Sequence, residues 1–97
     1  AEKSGGPASG VPGAPVLSGN AAGYSSVLLS WTLANQGASP VTKFQITRDG
    51  VRKATLGVFY SYTDTPVASG GTYTYRIRAW NSFGWGPYSL PIKVTVP

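Results

Sequence analysis

From Ala14 onward the chain alternates apolar and polar residues in short runs. Turn residues separate these runs roughly every ten positions, the spacing of an antiparallel sandwich or barrel. The runs expected as strands are Pro15 to Ser18, Ser26 to Thr32, Val41 to Arg48, Val51 to Leu56, Ser61 to Asp64, Thr72 to Asn81 and Leu90 to Val96. In the sixth, Tyr73, Tyr75, Ile77 and Ala79 share one parity and Thr74, Arg76, Arg78 and Trp80 the other. A period of two sends the first set inward. The same rule expects Leu29 and Trp31 or their neighbours, Phe44 and Ile46, and Ile92, Val94 and Val96 in the core. Lys43, Gln45, Thr47, Lys93 and Thr95 then face outward. Asp49-Gly50, between Arg48 and Val51, is a hairpin signal, because a type I′ turn needs positive φ at both central residues. The third and fourth strands are therefore expected to pair. No amphipathic helix interrupts the series, and the fold class read from the pattern is all-β, a seven-stranded antiparallel β-sandwich.

The beginning of the chain breaks this pattern. Gly, Pro, Ser and Ala dominate it, with Glu2 and Lys3 the only charges, so residues 1–13 are expected to be a flexible linker and 14–97 the folded domain. A chain of 97 residues has room for one domain. Without cysteine no disulfide can staple it and no thiolate can hold a metal, so apolar packing must carry the fold. No apolar run approaches the ~20 residues that span a bilayer, so no membrane insertion is expected. Ala1 opens neither the basic nor the apolar region of a signal peptide, and the chain reads as a segment of a longer protein.

Leu29-Ser30-Trp31-Thr32 resembles the buried tryptophan strand of the fibronectin type III family. Pro40-Val41-Thr42-Lys43-Phe44 is similar to the start of that family's third strand, with phenylalanine in place of the usual tyrosine. The longest match runs from Gly71 to Asn81, followed by Gly84, Gly86-Pro87 and Ser89 at the family's usual spacing. The resemblance implies an immunoglobulin-like topology and a structural core that includes Trp31, Phe44, Ile46, Val67, Tyr73, Tyr75 and Ile77. It also implies a corner in which Tyr73 meets Val67, where the family usually has leucine. Such domains string together as beads, which implies neighbouring domains of the parent protein as partners. The linker and the small-polar composition resemble versions found in secreted bacterial polysaccharide-degrading enzymes and phage tails, which implies an extracellular (secreted or cell-surface) or virion location.

Catalysis is not expected. General acid-base chemistry needs a titratable pair at the reacting atoms, and the chain has no His or Cys. Its acids, Glu2, Asp49 and Asp64, lie in the linker, a turn and a strand end, too scattered for paired carboxylates or a metal site. Gly84-Trp85-Gly86 lacks the helix start that makes such glycines bind phosphate, and no cofactor is expected. Arg48-Asp49-Gly50 holds the letters of an adhesive tripeptide in the wrong order and is assigned no such role.

Two surfaces are candidates for binding. Phe59, Tyr60, Phe83 and Trp85, with Trp80 and Tyr88, are expected at one pole, where they could form a platform for a cell-surface polysaccharide or protein. The alternative is that Trp85 and Tyr88 fold over Gly86-Pro87 and close the end of the sandwich. On the outer sheet face Lys43, Arg76, Arg78 and Lys93 project, with Arg52 or Lys53 alongside, as a candidate polyanion face. Its alternative is a solvated face that discourages edge pairing. Trp80 beside Arg78 is a candidate cation-stacking pair. The role expected is a non-catalytic accessory module that spaces, orients or displays parts of a larger protein, with weak surface binding through the aromatic pole as the alternative; nucleic acid is not an expected partner.

Overall fold

A computed structural model describes residues 10–97. Its strands are β1 (Val16–Ala21), β2 (Val27–Thr32), β3 (Lys43–Arg48), β4 (Val51–Leu56), β5 (Ser61–Asp64), β6 (Thr72–Asn81), β7 (Gly84–Trp85) and β8 (Ile92–Thr95), all antiparallel where they pair. One sheet has the order β1-β2-β5; the other has β4-β3-β6-β7, with β8 also on β6. Seven of these strands overlap the seven expected runs, and β7 is an addition of two residues. β3 begins at Lys43 rather than Val41 because Val41 N–H donates to Gln36 Oε1 instead of a neighbouring strand. β8 begins after Pro91, which has no N–H to pair.

The two sheets close over one apolar core. Leu17, Val27, Leu29 and Trp31 come from the first; Phe44, Ile46, Tyr75, Ile77, Ala79 and Val94 come from the second, and all are buried. Val67, Val41 and Val96 close the ends, and Tyr73 and Ile92 pack half-buried against the cluster. At the corner, Ala68 N–H donates to Tyr73 Oη at 2.7 Å, which ties the β5–β6 loop to β6 beside the buried Val67.

Asp49 and Gly50 take φ of 53° and 83°, the paired positive values that a two-residue hairpin needs, and β3 and β4 pair around them. Asp49 Oδ1 also accepts the Thr74 N–H, so the hairpin tip is fastened to β6. Farther along, the register slips: Ile46 faces Ala54 while Thr47 faces Arg52, which leaves Lys53 as a bulge. That slip matters for the charges, because it keeps Arg52 on the outer face with Thr47 and frees Lys53 to reach the other sheet.

The expected linker over residues 1–13 meets the described structure only at its last four positions, and these are packed. Val11 and Pro12 are buried, and Gly13 N–H donates to Asn35 O. Residues 1–9 lie outside the described residues. Asn81 continues the inward parity of β6 and clamps this region, donating from Nδ2 to Gly10 O and Gln36 O at 2.8 and 2.9 Å. At the opposite pole Gly70 N–H donates to Val96 O and Pro97 O, so the first and last described residues are held at opposite ends of the sandwich.

Candidate functional site

The outer face of the β4-β3-β6-β7 sheet gathers most of the chemistry. After β6 the chain turns through Gly84, whose φ of 125° few other residues tolerate, and comes back alongside β6. Trp85 then pairs with Trp80, and Gly86 N–H continues the alignment by donating to Ala79 O. Gly86 has to lack a side chain, since a Cβ there would stand 2.1 Å from Pro12 O.

The result is a ladder of rings and cations. Lys43 Nζ lies 4.4 Å from the Trp80 ring centre and 5.8 Å from that of Trp85. The Arg78 guanidinium sits 4.5 Å from Trp85 and 4.7 Å from Tyr88. Trp80 and Trp85 meet edge-on at 6.5 Å. Arg78 donates from Nε and a terminal nitrogen to Gln45 Oε1, at 2.9 and 2.6 Å, which fixes the plane of the fork. Each ring-cation contact at a partly exposed site contributes ~0.5 to 1 kcal/mol. Gln45 and Thr47, expected outside, do lie on the outer face but are covered, each 7% exposed.

This arrangement corrects the expected aromatic pole. Trp80, Trp85 and Tyr88 belong to the sheet face, because strand pairing through β7 carries the rings back over β6 instead of letting them gather at the tip. Nor do Trp85 and Tyr88 close the end of the sandwich; they sandwich Arg78. Trp80 takes Lys43 rather than Arg78 as its cation. Phe59, Tyr60 and Phe83 remain at the pole, 62%, 48% and 58% exposed, with Tyr60 edge-on to Phe44 and Phe83 against Gly10. Of the expected polyanion set, Lys43 and Arg78 are in the ladder, while Arg76 and Lys93 extend the same face from β6 and β8.

A second polar cluster lies inside the sandwich and was not expected. Asp64 is fully buried at the end of β5. Its Oδ2 accepts from the Arg48 guanidinium at 3.0 Å and from Tyr75 Oη at 2.6 Å, and Lys53 Nζ lies 3.6 Å from Oδ1. One carboxylate thus joins β5 in one sheet to β3, β4 and β6 in the other. Burial of the Tyr75 phenol, reinforced by its hydrogen bond to this carboxylate, pushes it well above the ordinary 10.0 of tyrosine. The sequence signal was parity: Asp64 follows the inward Tyr62 by two residues, as Asn81 follows Ala79.

Two sheets in this order, a buried tryptophan on β2 and a tyrosine corner at the start of β6 define the fold. A fibronectin type III domain model matches residues 12–95. This chain belongs to the fibronectin type III family. Among solved structures, an Fn3-like protein from Clostridium thermocellum is 25% identical with a TM-score of 0.75, over 90% of this chain and 95% of that one. The twitchin kinase region from C. elegans gives 26% identity and a TM-score of 0.78, covering 90% of this chain and 17% of that one. A titin fragment gives 24% identity and a TM-score of 0.76, covering 89% of this chain and 32% of the fragment. The fibronectin type III domain described here thus spans nearly the whole of the Clostridium protein and only a small part of the titin and twitchin fragments, where it matches one module of a larger protein. Among the described residues no three His, Cys, Asp or Glu side chains gather as a metal site, and no helix is long and apolar enough to cross a membrane.

Proposed function

We propose that this fibronectin type III domain is a non-catalytic spacer that orients and displays neighbouring parts of a larger extracellular or virion protein. The observation that carries the reading is the anchoring of the described termini at opposite poles. Gly10 O is held by Asn81 and by Ala38 N–H, and Pro97 O by Gly70 N–H and Ser69 Oγ. An orientation set at one pole is transmitted to the other through both sheets, which the buried Asp64 cluster links across the core. Of the rings expected at the pole, Trp80, Trp85 and Tyr88 lie on the sheet face beside the domain's own cations. Phe59, Tyr60 and Phe83, exposed at the pole where the described chain starts, supply a contact surface for an adjoining domain or, in the second reading, a weak surface-binding site.

The chain has no cysteine, so Ala22→Cys with Ala34→Cys places two spin labels cleanly at exposed positions near opposite poles. A single narrow distance distribution is expected, unchanged by soluble chitin or cellulose oligosaccharides. A broad or sugar-dependent distribution would contradict the spacer.

A further inference from the structure

We propose that the outer face of the β4-β3-β6-β8 sheet binds an extended polyuronate, a polysaccharide whose sugar rings each carry a carboxylate. The strand registers lay its cations out in rows. Lys43 is beside Trp80, Arg78 is beside Gln45, Arg52 and Arg76 flank Thr47, and Lys93 is beside Thr74. Successive rows lie two residues apart along the strands, about 7 Å. Among the described residues no carboxylate pairs with any of these five cations. Asp64 is buried on the other side of the sheet, and Asp49 accepts the Thr74 N–H at the hairpin.

How the cations are held decides what they can do. A cation fixed by an acid is neutralised, whereas one fixed by aromatic faces keeps its full charge and its remaining N–H donors. Lys43 and Arg78 are of the second kind, so much of the ordering cost of presenting them to an anion is already met by the fold. Guanidinium forks match planar carboxylates in a bidentate way. A uronate carries its carboxylate directly on the ring, so one sugar can set its C–H face on the exposed ring of Tyr88 and its charge against the adjacent Arg78. Rings and cations stand together in the rows of Lys43 and Arg78, with Tyr88 39% exposed beside Arg78, while Arg52, Arg76 and Lys93 continue the face as charge alone.

The test is an NMR titration of the whole 97-residue chain with oligogalacturonates of increasing length, at low and at physiological salt. Saturable shifts are expected at the Trp80 and Trp85 indole N–H signals, with Trp31 stationary and affinity rising with length and falling with salt. Arg76→Ala with Lys93→Ala, outside the ladder, is expected to weaken binding ~10-fold and to flatten the log-log salt dependence by about two, without moving the thermal midpoint. Neutral cello-oligosaccharides should leave the signals in place. The proposal is overturned if oligogalacturonate moves no indole signal, if the double variant binds as well as the parent, or if single-stranded DNA binds as tightly with the same salt slope.

Discussion

Trp31→Ala is expected to lower the unfolding free energy by about 3 to 5 kcal/mol, the cost of truncating a large core aromatic. Domains of this size are stable by only about 5 to 15 kcal/mol, so the loss is a large part of the whole. Trp31 is 4% exposed and its ring meets Phe44 at 5.6 Å, so it bridges β2 of one sheet to β3 of the other. Phe44 also meets Tyr60 edge-on at 5.5 Å, which leaves little freedom for the site to collapse. The indole Nε1 is buried with no hydrogen-bond partner among the described residues. Trp31→Phe should therefore cost much less than alanine, since it removes an unsatisfied donor while keeping most of the ring. Urea unfolding is the check: the midpoint should fall sharply for alanine and modestly for phenylalanine, with an unchanged slope. A mild alanine effect would mean that the register of β2 is wrong.

Asp64→Ala is expected to cost about 3 kcal/mol, the low end of the range for removing one partner of a buried charge pair. The low end applies because the side chains left behind, Arg48 and Lys53, are 26% and 28% exposed and can turn toward water. Tyr75 cannot, and its hydroxyl loses its acceptor. The same cluster sets an alkaline limit. Because the folded state holds the Tyr75 proton more tightly than the unfolded chain does, its contribution is complete below pH 10.0 and is lost as pH rises from there through the folded value. Stability measured against pH should therefore fall above about 10 in the parent, and Tyr75→Phe should remove that part of the fall. An identical alkaline profile in Tyr75→Phe would show that the phenol is not held as described.

What the sequence made legible was whatever depended on parity and on turn chemistry. The alternation of Tyr73 through Ala79 placed β6, the Asp49-Gly50 pair placed the β3–β4 hairpin, and the apolar parity of β2 and β3 placed Trp31 and Phe44. The motif spacing gave the family. Two polar residues, Asp64 and Asn81, were missed although they obey the same parity, because an acid or an amide at the end of a strand ordinarily faces water. Their burial depends on partners distant in sequence: Arg48, Lys53 and Tyr75 on other strands for one, the carbonyls of Gly10 and Gln36 in connecting segments for the other. The bulge that sends Lys53 inward while Arg52 stays outside is a one-residue slip that composition does not mark. The ladder was missed for a related reason. Trp85 and Tyr88 sit in a stretch that reads as a loop, and only the return of the chain along β6, through Gly84 and Gly86, lays their rings over Arg78.

In the proposed spacer the aromatic side chains on the outer face of the β4-β3-β6-β7 sheet act as an internal brace, holding Lys43 and Arg78 and stiffening the sheet. A double-mutant cycle between Arg78→Ala and Trp85→Ala, read by urea unfolding, measures the brace. A favourable coupling of about 0.5 to 1 kcal/mol is predicted, the value of a partly exposed ring-cation contact. Strictly additive effects would show that the rings and the cations only share a surface, and would contradict the brace.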